Sequence, residues 1–210
     1  MSNVLVMLQT NSNQPFIFSS PRLREQIGAS FEITLLSHWV KEEAEKLLKQ
    51  KPLPTSFWVS DSSGKVIVRF TDDEGGPKDL AKQLIREVTL RALTDAPGLD
   101  VTGVFIEATS NTVDADDLQE LDRVFLEYSL NRRPAAARFP QFPFLERGSE
   151  SALPASASLG ALEFSQESLQ AYNFDESSPL SLPSRVKRAF ASTSRKQQVD
   201  DVKERLAKQG

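Results

Sequence analysis

The sequence contains no cysteine and only one histidine, His38, among its 210 residues. Without cysteine the protein has no disulfide, zinc–thiolate site, iron–sulfur cluster or catalytic thiol. A single histidine excludes metal sites built from several imidazoles and argues against a histidine-based catalytic triad. The sequence also lacks an apolar run of about 18 residues, so we expect no membrane-spanning helix. No basic leader precedes the short apolar run at residues 4–8, and we therefore expect a cytoplasmic location.

Charge of either sign is not in strong excess. The chain has 25 basic and 29 acidic side chains, which give a net charge of −4. This balance excludes a strongly basic nucleic-acid coat and a strongly acidic disordered protein. Apolar residues make up 39% of the sequence, below the roughly 45–50% that is usual for globular domains. We therefore expect one domain of ordinary size and a further stretch of chain outside its core.

The apolar pattern of residues 4–108 predicts an alternation of strands and helices. Gly64 lies between two strand-like runs, as in the turn of a hairpin, and Pro77 opens the second long helix. The predicted elements, in chain order, are a strand over 4–8, a helix over 29–50, strands over 57–59 and 65–70, a helix from Pro77 to Asp95, and a strand over 101–108. This order predicts the α+β class and a ferredoxin-like βαββαβ fold, with both helices on one face of an antiparallel sheet and the other face free.

The chain changes in character after this repeat. Residues 114–130 have an amphipathic pattern that predicts an added helix, opened by Asp114 or Asp116. The Pro- and Phe-rich segment 138–145 that follows either packs back on the first domain or docks on a partner.

The rest of the sequence is poor in apolar periodicity. Residues 149–183 are rich in Ser, Ala and Pro, and the basic stretch after them predicts a helix only from about Gln197 onwards. The expected domains are a ferredoxin-like domain over 1–112, the added helix and Pro/Phe segment over 113–148, and a Ser/Pro-rich, basic, largely flexible extension over 149–210.

One phrase of the sequence resembles a known family. Residues 14–30 read Gln-Pro-Phe-Ile-Phe-Ser-Ser-Pro-Arg-Leu-Arg-Glu-Gln-Ile-Gly-Ala-Ser, between the first strand and the long helix. This phrase resembles the palm domain of the large polymerase/cyclase-like subunit of type III CRISPR effector complexes and related palm-domain proteins. The resemblance covers residues 4–108. It implies a ferredoxin-like core, a role in antiviral defence and a nucleotide-handling assembly, in which a second palm usually follows such a region.

The sequence departs from this family where active members hold metal ions. The resemblance implies that active members of the family carry a Gly-Gly-Asp-Asp turn in the central hairpin. The carboxylates of that turn bind two divalent cations, because Mg²⁺ prefers hard oxygen ligands. Here the hairpin reads Ser60-Asp61-Ser62-Ser63-Gly64, and the first strand ends in Leu8-Gln9-Thr10 without an acid. The acids of residues 72–74 follow the third strand and indicate a polar turn that opens a helix. We expect no cofactor; ATP and Mg²⁺ enter only if a homodimer forms a composite site.

These features together predict a non-catalytic palm-type scaffold or dimerisation module that works with a protein partner, either a second palm or a second copy. The candidate nucleotide- or partner-binding residues are Phe16, Phe18, Arg22, Arg24, Ser30, Asp61 and Ser63. The alternatives are an RNA-binding module that uses the free sheet face and the basic tail, and an active nucleotide cyclase with a composite dimer site.

The segment 16–30 is the predicted contact. Phe16, Ile17 and Phe18 are three consecutive apolar residues, so at least one of them should point away from the core unless another element covers it. The alternative is that Phe16 and Phe18 both cover the core beneath the added helix. Glu25 is expected at the charged rim of this surface, on a short helix that starts near Ser20 and is broken by Gly28.

Overall fold

The computed structural model describes residues 3–71, 75–108, 112–131, 142–159, 162, 164 and 178–209. The strands are β1 (Asn3–Asn11), β2 (Trp58–Ser62), β3 (Lys65–Phe70) and β4 (Asp100–Ala108), and the helices are α1 (Asn13–Ile17), α2 (Leu23–Leu48), α3 (Pro77–Asp95), α4 (Ala115–Leu130) and α5 (Leu182–Gln209), with a 3₁₀ turn at Thr55–Phe57. None of the helices in these ranges is long and apolar enough to cross a membrane. The chain divides into two compact units: unit 1 comprises Met1–Asn11, Ile33–Leu93 and Leu99–Ala135, and unit 2 comprises Ser12–Glu32, Thr94–Gly98 and Ala136–Gly210.

Unit 1 is built on a four-stranded sheet. The strand order is β2-β3-β1-β4, and each neighbouring pair is antiparallel. This order, with a helix between β1 and β2 and another between β3 and β4, confirms the predicted α+β, ferredoxin-like fold. The hairpin between β2 and β3 turns at Gly64, whose φ of 78° lies in the left-handed region that glycine adopts without strain.

Both faces of this sheet are buried. On one face, Val6 lies opposite Val68 and Phe105, and a side chain at Gly103 would meet Ile85 of α3. On the other face, an apolar cluster joins the sheet to α4. The buried members of that cluster are Leu5, Met7, Ile67, Val104, Leu121 and Phe125.

The expected free sheet face was therefore wrong, and the RNA-binding alternative loses its platform. The reason is visible in β1, where all five residues from Val4 to Leu8 are apolar and fully buried. A sheet with one solvated face has strands that alternate apolar and polar residues, whereas a continuous apolar run needs cover on both sides. The added helix α4 supplies this cover.

Helix α4 begins where its sequence predicts. Asp114 is the N-cap: its Oδ1 accepts a hydrogen bond from the backbone N–H of Asp117 at 2.9 Å, and the Asp117 carboxylate accepts one from the Asp114 N–H at 3.5 Å. This reciprocal capping satisfies N–H groups that have no partner inside the helix. Of the two residues proposed to open the helix, Asp114 is the one that does so.

Helix α5 of unit 2 corrects the expectation that a helix forms only from about Gln197. It begins at Leu182, and Ser181 caps it by accepting a bond from the Ser184 N–H at 3.4 Å. Val186 and Phe190 are fully buried. Serine and proline are poor inside helices but favourable at their starts, so a composition that suggests a loose segment here marks a helix N-terminus. The domain boundaries drawn from the sequence stay a prediction.

Gly28 does not break a helix. Helix α2 runs without interruption from Leu23 to Leu48, so the predicted break at Gly28 was wrong. Ser20 lies just before it and accepts a bond from the Arg22 N–H at 3.2 Å. A Cβ at Gly28 would lie 1.7 Å from the backbone oxygen of Lys187 on α5. Glycine is therefore needed for the close approach of two helix backbones and not for a turn.

Candidate partner-binding surface

The seven candidate residues fall in both units. Asp61 and Ser63 belong to the hairpin of unit 1, where both are exposed. Asp61 accepts a hydrogen bond from the Ser37 hydroxyl of α2 at 2.8 Å, so the single carboxylate of the hairpin has a partner within the unit. Within the described ranges, no group of three or more His, Asp or Glu side chains could hold a metal ion, and residues 72–74 lie outside those ranges.

The two phenylalanines of unit 2 have opposite environments. Phe16 at the end of α1 is 8% exposed, and the Lys187 ammonium lies 4.0 Å from the centroid of its ring. Phe18 is 66% exposed. The prediction that at least one of the three apolar residues 16–18 points away from the core is confirmed by Phe18. Phe16 is buried at a contact with Lys187 of α5.

Arg22 already has a partner in unit 2. Its Nε and Nη2 donate to the two carboxylate oxygens of Glu150, at 3.1 and 2.9 Å. This fork-shaped pair favours the charged forms: the hydrogen bonds raise the pKa of Arg22 and lower the pKa of Glu150. Ser30 is exposed on α2.

Four ionisable residues form a charge cluster between α2 and α5: Glu25, Glu32 and Lys187, which are buried, and Arg188, which is half-buried. Arg188 Nε donates to Glu25 Oε1 at 2.8 Å, and Lys187 Nζ donates to the Phe16 carbonyl at 2.6 Å. One oxygen of Glu25 and both oxygens of Glu32 have no hydrogen-bond partner among the described residues. Glu25 was expected at an exposed rim, and that expectation was wrong because α5 covers it.

Burial shifts the pKa of two members of this cluster, Glu32 and Lys187. Removal from water raises the pKa of Glu32 well above its usual range, although the Lys187 charge opposes the shift. Burial likewise lowers the pKa of Lys187, against the attraction of Glu32 and Glu25. Glu25 and Glu32 are seven residues apart, which places them on one face of α2, with Gly28 between them. That spacing was a signal of a buried contact, but the sequence does not identify the helix that covers it.

The contact between α2 and α5 also includes an open depression, here called the α2–α5 groove. Its volume is about 510 Å³, and it is lined by Leu23, Arg24, Ile27, Ala191, Ser192, Arg195 and Gln198. Leu23 is 70% and Ile27 43% exposed, an unusual state for two aliphatic side chains one turn apart. Arg24 donates to the Ser192 hydroxyl at 3.0 Å across the groove. Sequence reasoning found the α2 wall through Arg24 but missed the α5 wall.

Comparison with known proteins gives a likeness of fold. No protein-family model matches this sequence, and no curated protein matches it. Among solved structures, it is similar to a chain of the type III-B Cmr-beta structure determined by cryo-EM in the apo state. The sequences are 11% identical, the TM-score is 0.50, and the alignment covers 92% of this chain and 32% of the other. The present chain thus spans about a third of the length of the chain that it matches.

Proposed function

We propose that this chain is a non-catalytic palm-type module, a scaffold or dimerisation unit of a CRISPR type III-like, nucleotide-handling defence assembly. The observation that carries the proposal is the likeness of fold to a type III-B chain along 92% of this chain. The phrase at residues 14–30 supports the same family independently, because its resemblance lies in the sequence and does not depend on the fold. The cytoplasm is the expected location.

The geometry at the end of β1 supports the non-catalytic part of the proposal. Thr10 donates both its backbone N–H, at 2.8 Å, and its hydroxyl, at 3.2 Å, to the carbonyl of Gly64 in the hairpin turn. In the family, metal ions sit between these two places, held by carboxylates. Here direct hydrogen bonds join them, and Asp61, the carboxylate of the hairpin, is bound to Ser37. We therefore propose no resident nucleotide or metal.

A protein partner is part of the proposal. The exposed apolar side chains of the segment 16–30 are Phe18, Leu23 and Ile27. An apolar centre with charged neighbours such as Arg22 and Arg24 is the arrangement expected of an interface core and its rim. These side chains therefore supply the contact, and buried Phe16 holds the segment in place.

The proposal is tested first by a conversion assay. The purified chain is incubated with ATP and Mg²⁺ or Mn²⁺, and we expect no cyclic or linear oligonucleotide product. The matched variant is Asp61→Ala. Metal-dependent product that disappears in this variant would overturn the non-catalytic assignment and favour a cyclase with a composite dimer site.

The assembly is tested separately by purification of the tagged chain from its native host and mass spectrometry of the proteins that accompany it. We expect other subunits of a type III-like complex. Their absence, with a different set of stable partners in place, contradicts the assignment to such an assembly. Replacing Arg22 and Arg24 by Glu should abolish this co-purification. Because the change also removes the Arg22–Glu150 ion pair, the thermal midpoint of the variant is measured alongside.

A further inference from the structure

We propose that the α2–α5 groove binds an acidic amphipathic helix of a protein partner. The inference rests on the proposed protein-binding role of this face, but it does not depend on membership of a type III assembly. Its evidence is the apolar floor of the groove, the sign of the charge along it, and the helical walls.

The floor of the groove is aliphatic and accessible. Leu23 and Ile27 lie four residues apart on α2 and present their side chains to solvent, and Ala191 on α5, which is 7% exposed, also lines the groove. Burial of such side chains contributes about 25 cal/mol for each Å² removed from water. A partner with matching apolar side chains would therefore gain stability here that a purely charged ligand cannot.

The charge along the groove has one sign. Among the described residues, its lining contains two guanidinium groups, of Arg24 on one wall and Arg195 on the other, and no carboxylate. The nearby acids are engaged elsewhere in unit 2: Glu25 is buried against Arg188, and Glu150 is bound to Arg22. Guanidinium groups pair with carboxylates through parallel hydrogen bonds. Glu or Asp at the edges of the partner's apolar face is the complementary chemistry.

The walls favour a helix over an extended peptide. Both walls are α-helices, whose backbone groups are satisfied internally, so they offer no ladder of hydrogen bonds to an added strand. The lining positions Ala191, Arg195 and Gln198 are spaced four and three residues apart, over about 10 Å of helix. A partner helix repeats its own side chains with the same spacing and length, which lets its apolar face follow the groove.

Other occupants fit less well. In a twofold dimer the same patch meets itself, so Arg24 and Arg195 of one copy would approach the same guanidinium groups of the other. Single-stranded nucleic acid binds through basic grooves that also carry stacking aromatic rings, whereas the lining residues that the structure describes include no aromatic one. An acidic helix is the one occupant that satisfies both the aliphatic floor and the basic walls.

The test is a selection from an unbiased library of helix-forming peptides, displayed on phage and selected against the full-length purified chain. We expect selected peptides to combine apolar residues at spacings of three and four with flanking Asp or Glu. The double variant Arg24→Glu/Arg195→Glu should weaken the best peptide at least tenfold, and a version of that peptide with Lys for Glu should recover binding to the double variant. The matched control is Lys82→Glu/Arg86→Glu, two exposed basic residues of α3, which should bind the peptide as the wild type does.

Several outcomes overturn the proposal. The proposal is overturned if the selection yields no binders or if the selected peptides have no acidic bias. It is also overturned if the best peptide binds the double variant as tightly as the wild type, or if the control variant weakens that peptide as much as the double variant does. Arg195→Glu alone, at an exposed position, keeps the test valid if the double variant does not fold, and it should weaken the peptide at least threefold. If the wild type forms dimers in analytical ultracentrifugation and the double variant does not, the groove binds a second copy of the chain instead. If the wild type binds a uridine homopolymer and the double variant does not, the groove binds RNA instead. Because only the purified chain is used, these results are independent of the co-purification experiment.

Discussion

The close approach at Gly28 leads to a prediction in which two effects of known size oppose each other. Replacing Gly28 by Ala in the interior of α2 favours the helix by about 1 kcal/mol. The added Cβ, however, would lie 1.7 Å from the Lys187 oxygen and 2.5 Å from its carbonyl carbon. Both atoms are backbone, so the overlap cannot be relieved by turning a side chain, and α5 has to withdraw from α2.

The cost of that withdrawal exceeds the gain. Overpacking of a close contact costs about 1–3 kcal/mol, and separation of the helices also loosens the charge cluster, where breaking one pair costs about 3–5 kcal/mol. We therefore expect Gly28→Ala to lower the free energy of unfolding by about 2–4 kcal/mol. The rate of amide hydrogen exchange along α5 should rise in the variant, because the protection of that helix depends on this contact.

The assay is urea unfolding followed by far-ultraviolet circular dichroism, since both tryptophans, Trp39 and Trp58, lie in unit 1 and would not report on α5. The control is Ser30→Ala, an exposed position on the same helix, which should change the stability by less than about 0.5 kcal/mol. A Gly28→Ala variant as stable as the wild type, or more stable, would refute the reasoning, because helix propensity would then be the larger effect.

Three further substitutions test other parts of the structure. Because the folded-state pKa of Glu32 is raised, the wild type should lose stability as the pH rises above about 4.5. The Glu32→Gln variant should not show this loss. If urea titrations give the same difference in stability between variant and wild type from about pH 5 to pH 8, the prediction is contradicted. Gly103→Ala places a Cβ 2.7 Å from Ile85 Cγ2 and should lower the free energy of unfolding in urea by about 1–2 kcal/mol. Adding Ile85→Val to the same chain should recover part of that loss. Purely additive effects of the two substitutions would argue against the contact. Asp114→Ala removes the N-cap of α4 and should cost about 1 kcal/mol in thermal unfolding, whereas Asp116→Ala, the control, should cost clearly less.

Much of the sheet could be predicted from local patterns in the sequence. The hairpin at Gly64 and the start of α3 at Pro77 depend on turn chemistry within a few residues, and both are observed as predicted. The N-cap at Asp114 is equally local. Such features need no knowledge of what lies elsewhere in the chain.

The candidate site could be predicted only in part, because its other half is distant in sequence. Gly28 has two physical interpretations, a break in a helix or a close approach, and only the position of Lys187 decides between them. The same holds for Glu25, which is charged and looks like a surface residue until Arg188 is placed against it. Both contacts join residues about 160 positions apart, where neither periodicity nor turn chemistry carries information.

The double cover of β1 has a consequence for how this chain tolerates sequence variation. In a strand with one solvent-exposed face, every second position accepts polar replacements without loss of the fold. The five residues from Val4 to Leu8 are all fully buried, with α3 beyond one face and α4 against the other. A saturation mutagenesis profile should therefore show an unbroken block of five intolerant positions here. Variation that keeps the fold would be concentrated at Gln9 and Asn11, the half-buried positions of the strand, so β1 is expected to be the most slowly diverging segment of unit 1.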